Sequence, residues 1–182
     1  LGSSIESLTA GSGNDTIVLN AGVANMRMDL GGGTDSVTLA NASNSVTLSN
    51  VESVTGNSGV DQVTLLTTVT AGQFDLGAGT ADKLTLASGV NTLTTTGIET
   101  VLGGTGVDTL TLADAATAGQ IDLGAGSDVL NLGNFANTLT VKNTESILGN
   151  AQADTVALGN SVSGIQVDLG SGADIDRKST RL

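Results

Sequence analysis

Apolar and polar residues alternate in short runs along this chain. Ile17/Leu19, Val37/Leu39, Val63/Leu65, Leu84/Leu86, Leu110/Leu112, Leu130/Leu132 and Val156/Leu158 are separated mostly by Thr, Ser, Asn or Lys. A period of two is the signature of a strand with one buried face. Each run follows an Asp and gives way to polar or glycine-rich sequence, so the strands are only four or five residues long. A strand that short cannot bury its apolar face alone, but equivalent strands stacked coil upon coil share one aliphatic core.

The runs return at a fixed interval. Ile5 to Asn50, Val51 to Gly97 and Ile98 to Asn143 are full units of 46, 47 and 46 residues, and Thr144 to Ile175 is part of a fourth. Each unit opens on a short motif that places Glu6, Glu52, Glu99 and Glu145 in equivalent positions. Within a unit the pattern Gly-x-Gly-x-Asp-x-apolar-x-Leu occurs twice, with Asp15, Asp35, Asp61, Asp82, Asp108, Asp128, Asp154 and Asp174 as its aspartates. Their spacings run 20, 26, 21, 26, 20, 26, 20. The longer interval carries an extra strand that opens at Asn44, Asn91 or Asn137.

These patterns predict an all-β, parallel β-solenoid of alternating coils of about 20 and 26 residues, with a right-handed path from crossover chirality. An antiparallel sandwich would give no reason for the same residue types to return every 46 residues. The solenoid places Val37, Val63, Leu84, Leu110, Leu130 and Val156 in one interior, stacked on each other.

Composition narrows the chemistry. The 182 residues include 26 Gly, two Phe and no Pro, Cys, His, Trp or Tyr. The core is therefore thin and aliphatic, with no disulfide framework, no thiolate or imidazole metal site and no His-based triad. A formal net charge of −12 disfavours nucleic acid and anionic lipid, which need a basic surface. No apolar stretch is long enough to span a bilayer. Cations are the natural partner, and the absence of a base beside a carboxylate argues against an enzyme. The start at Leu1 and the lack of a leader pattern suggest a fragment whose neighbours are flanking repeats of a parent chain.

After Asp174 the pattern requires an apolar residue at position 176, where the chain reads Asp176. The stretch from Asp176 to Leu182 coincides with the translation of a common sequencing adapter. It is expected to be non-native, to pack against nothing and to continue no ladder.

Of the acids before this tail, all but Asp114 are locked to the repeat: the eight loop aspartates, the four glutamates, and Asp29, Asp75, Asp122 and Asp168. If one motif spacing is one coil, the loop aspartates stack along a single edge about 4.8 Å apart. Like charges at that distance repel by about 1 kcal/mol in water and more when partly buried. A hard divalent cation between successive loops would offset this, since Ca²⁺ is held by carboxylate and carbonyl oxygens. The alternative is that each Asp accepts hydrogen bonds from its own turn, with no metal. The sparse glutamates are expected to be solvated and outward.

Gly103-Gly104-Thr105-Gly106-Val107-Asp108-Thr109-Leu110-Thr111 fits the nonapeptide Gly-Gly-x-Gly-x-Asp-x-apolar-x at every fixed position. At these residues the chain resembles the RTX, or hemolysin-type calcium-binding, repeat family. Other loops match less well: the loop ending at Asp82 has an extra residue, and Asn150 and Gln152 replace glycines before Asp154. Because the motif returns only every 20–26 residues, at most one edge is expected to be RTX-like. The resemblance implies Ca²⁺ bound by the loop aspartates and a structural or adhesive segment of a large secreted or cell-surface bacterial protein, exported by type I secretion. Two other readings remain. Thr38, Thr64, Thr85 and Thr111 suggest a threonine-faced ligand- or ice-binding surface, and such repeats also accompany secreted polysaccharide-active enzymes.

Overall fold

A computed structural model of the chain describes residues 5–159 and 164–178. Every regular element in it is a strand, and each full repeat contributes five. The first holds β1 (Ser7–Thr9), β2 (Thr16–Val18), β3 (Met26–Asp29), β4 (Ser36–Thr38) and β5 (Asn44–Ser49). The second holds β6 (Ser53–Asn57), β7 (Asp61–Leu65), β8 (Thr70–Gly77), β9 (Lys83–Thr85) and β10 (Asn91–Thr96). The third holds β11 (Thr100–Thr105), β12 (Asp108–Leu112), β13 (Thr117–Ala125), β14 (Val129–Asn131) and β15 (Thr138–Lys142). The partial fourth holds β16 (Ser146–Asn150), β17 (Thr155–Leu158), β18 (Gln166–Gly170) and β19 (Ile175–Lys178).

Odd-numbered strands form one ten-stranded sheet and even-numbered strands a nine-stranded sheet. Neighbours within each sheet pair in parallel, as β5 and β7 do. The chain thus crosses from one sheet to the other at every turn, and two strands make one coil. The predicted parallel β-solenoid is the observed fold. No helix among the described residues is long and apolar enough to cross a membrane.

The coil lengths differ from expectation. Thr47 pairs with Thr64, Thr64 with Thr85, and Thr85 with Leu102, steps of 17, 21 and 17 residues, while Ser7 pairs with Arg27 at 20. The 26-residue interval between Asp35 and Asp61 is therefore a coil and a half. A repeat of five strands is two and a half coils, so each repeat begins on the sheet opposite to the one before it.

The core lies between the sheets. Met26, Val46, Val63, Leu84, Val101 and Ile121 are successive partners across the odd sheet. Leu93, Leu110, Leu130 and Ile147 do the same across the even sheet. All ten are buried, and rows of this kind supply the hydrophobic stabilisation of a solenoid one repeat at a time. Val37, Val63, Leu84, Leu110, Leu130 and Val156 are buried as expected. They do not form one stack, because Val37, Leu110 and Leu130 belong to the even sheet and the other three to the odd sheet.

The C-terminal segment also departs from expectation. Asp176, Arg177 and Lys178 continue β19 in register with Val156, Ala157 and Leu158 of β17. Main-chain pairing accounts for this, since ladder hydrogen bonds do not read side chains. Asp176 occupies an inward register position yet is exposed. The rest of the tail, 179–182, lies outside the described residues.

Candidate functional site

Each loop aspartate sits at the corner where the chain enters a strand, two residues before an inward apolar side chain, and so it points inward too. Asp35, Asp61, Asp82, Asp108, Asp128 and Asp154 are all 1% exposed or less. The glycine-rich loop closes over the carboxylate: a Cβ at Gly126 would press on the Gly106 carbonyl oxygen and on Asp128 itself. Only glycine allows that approach.

The aspartates do not share one edge. Asp15, Asp35, Asp108 and Asp128 lead into even strands, and Asp61, Asp82, Asp154 and Asp174 into odd strands. The half-integral repeat is the reason, because it moves the motif to the opposite edge each time. Both edges are therefore acidic.

Along an edge the acids join hydrogen-bonded ladders with residues that sequence reasoning left out. On the odd edge, Asp61 Oδ1 accepts the Asn44 main-chain N–H at 3.1 Å and its side-chain amide at 2.8 Å. Asp82 Oδ1 accepts the Asp61 N–H at 2.7 Å, and Glu99 Oε2 the Asp82 N–H at 2.8 Å. The even edge repeats this with Asn91, Asp108, Asp128 and Glu145. Shorter parts appear as Asp15–Asp35–Glu52 and Asn137–Asp154–Asp174. Every rung is one coil from the next, and each carboxylate ties down the coil before it. Val69 and Ala116 donate their N–H groups to Asn91 and Asn137, so an apolar rung separates one run of acids from the next on each edge.

The glutamates are thus terminal rungs, not free outward groups: Glu52, Glu99 and Glu145 each accept a main-chain N–H. The signal was present, because Asn, Asp and Glu recur at a constant 17-residue offset, as in Asn44/Asp61 and Asp82/Glu99. The own-turn role is shared: the main-chain N–H groups of Gly79 and Gly104 also hold Asp82 and Asp108 from their own loops, and the second set of aspartates plays the same part. Asp29, Asp75 and Asp168 accept the N–H of the glycine two residues on, at 3.2, 3.0 and 3.1 Å. Asn50 and Asn143 side chains donate to Asp29 and Asp122, each at 2.7 Å.

Where a loop aspartate accepts a ladder bond, it does so through Oδ1. Oδ2 of Asp15, Asp35, Asp61, Asp82, Asp108, Asp128 and Asp154 is buried without a hydrogen-bond partner. Burial pushes the Asp82 carboxyl up to about 6; the Asp61 N–H holds it down, and the charges of Glu99 and Asp61 raise it further. Asp128 is pushed up to about 6 by burial, opposed by the Asp108 N–H and assisted by the charges of Asp108 and Glu145. Asp61 and Asp108 are also raised by burial, against the hydrogen bonds of Asn44 and Asn91. The stranded oxygens suit a hard cation, because the donor set is oxygen alone. Asp15/Asp35, Asp61/Asp82 and Asp108/Asp128 are the pairs in which both members keep such an oxygen, and among the described residues no group of three or more acidic side chains gathers at one point.

The threonines are divided between faces. Thr47, Thr64 and Thr85 stack on the odd sheet, bounded by Arg27 and Leu102. Thr94 and Thr111 stack on the even sheet, followed by Asn131. The half-integral repeat again splits what the sequence presents as one row.

Fold and corners together define an acidic two-sheet parallel β-solenoid with Asn–Asp–Asp–Glu ladders on both edges. No protein-family model, curated protein or solved structure matches the chain.

Proposed function

We propose that this chain is a calcium-stiffened structural segment, a stalk or adhesin region of a large extracellular or cell-surface protein. The observation that carries the reading is the set of seven buried Oδ2 atoms without partners, six of them in pairs on adjacent coils of one edge or the other. Unpaired buried carboxylate oxygens are costly, and a cation shared between rungs removes both that cost and the repulsion. Binding free energy then becomes folding free energy. Acids on both edges bring the chain nearer to the RTX arrangement than its sequence spacing implied. Secretion into a calcium-rich exterior is in keeping with such folding on binding.

Thermal melts followed by circular dichroism test the proposal. Residues 1–178 are expected to melt at a clearly higher temperature in millimolar Ca²⁺ than in chelator, with a weaker response to Mg²⁺, which demands a tighter octahedral shell. Identical melts in chelator and calcium would overturn the calcium part and leave a stalk held by its ladders alone.

A further inference from the structure

Charge on this chain is sorted by place. The loop aspartates turn inward at the corners, whereas Arg27, Lys83, Lys142 and Arg177 stand at outward positions of odd-sheet strands. No even-sheet strand among the described residues carries a Lys or Arg. The outer face of the odd sheet is therefore where this acidic chain can meet an anion.

The third repeat gives that face a groove. β13 bulges at Ala118, where φ is +65° and the register with β15 shifts between Thr117 and Gly119, and a bulge bends its strand. Beside it lies a depression of about 390 Å³ lined by Gln120, Thr138, Thr140 and Thr155, within the size range of small-molecule sites. A smaller one of about 70 Å³ shares Gln120 and Thr140 and is lined also by Thr100, Leu102, Asp122 and Lys142. The outward side chains form two rows, Thr100–Gln120–Thr140 and Leu102–Asp122–Lys142, with one coil between successive members.

The polar ends of these rows are free. Among the described residues the Gln120 amide and the Thr100 and Thr140 hydroxyls make no hydrogen bond, and Lys142 makes no ion pair. Asp122 Oδ1 accepts the Asn143 amide at 2.7 Å, leaving Oδ2 to accept from a ligand. The Lys142 stem lies over Gly159, where a Cβ would come within 2.7 Å of its Cγ. Other repeats lack the combination. The second has Thr55, Gln73, Asp75 and Thr96 at the matching positions, with neither leucine nor cation. The first has Arg27 in place of Gln120 and Thr9 in place of Leu102.

We propose that this groove binds a sugar acid: its carboxylate on Lys142, its hydroxyls on Thr100, Gln120, Thr140 and the open oxygen of Asp122, and its apolar C–H face on Leu102. Amide and hydroxyl groups both donate and accept, as sugar hydroxyls require. A neutral sugar would leave Lys142 unused, and an inorganic anion would leave Leu102 unused. The site draws on none of the loop aspartates and stands independently of calcium at the corners.

Amide NMR of the ¹⁵N-labelled chain, titrated in millimolar Ca²⁺ with D-glucuronate and then with D-glucose, tests the groove. The amides of Gln120, Thr140 and Lys142 are expected to shift saturably with glucuronate and to respond about tenfold more weakly to glucose, which lacks the carboxylate. Lys142→Gln should abolish that preference while the unliganded spectrum stays that of the parent. Leu102→Thr, with the residue found at Thr55, should weaken both sugars. Hyaluronate oligosaccharides identify the source: affinity that rises with length assigns the groove to an acidic chain reaching on to Lys83, beside Thr100, and affinity independent of length assigns it to a single terminal sugar. No saturable shift in a well-dispersed spectrum, equal affinity for the two sugars, or an unchanged preference in Lys142→Gln would overturn the site and leave the calcium melts untouched.

Discussion

Two sets of aspartates recur with equal regularity and meet opposite fates. Asp61, Asp82, Asp108 and Asp128 are buried at the corners and bind the coil before them. Asp75 and Asp168 close their own turns from exposed hydrogen bonds. Local sequence makes the difference. An Asp two residues before an inward Leu or Val shares the inward side of the pleat, whereas an Asp one residue before an inward Leu and then Gly lies on the outward side. Identical side chains at identical period can thus be long-range ties or local clasps, and pleat parity decides which.

The comparison breaks most readily at Asp108. Asp108→Ala leaves the Asn91 N–H without its buried acceptor and its side-chain amide with only the Ala87 and Gly89 carbonyls, and should cost about 2 kcal/mol by chemical denaturation. Asp108→Asn keeps an acceptor and removes a like charge, so in chelator it should match or exceed the parent; Asn already fills the rung at Asn91. A loss in Asp108→Asn equal to that in Asp108→Ala would show that the charge itself is needed.

A smaller effect comes from pH. Asp82 and Asp128 are raised in the folded chain from 3.8 to about 6, so the native state holds protons that the unfolded chain releases. Stability in chelator is therefore greatest below the unfolded value and is lost as pH rises through about 6. Melting temperature should fall between pH 5 and pH 7, the reverse of ordinary acid denaturation, and a flat or rising profile would show that these carboxyls are not raised. The clasp set marks the low end: Asp75→Ala should cost about 0.5 kcal/mol, because its turn is exposed and water replaces the bond.

Much of the fold was legible in the sequence. Alternation at Val63/Leu65 or Leu110/Leu112 needs only the pleat to be read, and the return of like residues every 46 positions needs only stacking. The coil length was hidden because ladder rungs change identity. The neighbour of Asp35 along its edge is Glu52, and that of Asp61 is Asn44, so counting from Asp to Asp skips half a turn. The expectation that the tail continues no ladder failed for a related reason: Arg177 and Lys178 break the sequence pattern while their main chain still pairs. Asp114 stood outside every repeat, and its place became clear only once Gly97 was seen beside it.

Two and a half coils per repeat has a consequence for how such a chain can be lengthened. Each coil advances about 4.8 Å, so one added repeat extends the solenoid by about 12 Å and turns everything beyond it by half a revolution. Two added repeats extend it by about 24 Å and restore the original facing. Gain or loss of a single repeat therefore acts as a rotary setting as well as a change of reach: odd changes present whatever follows on the opposite side, and even changes alter distance alone.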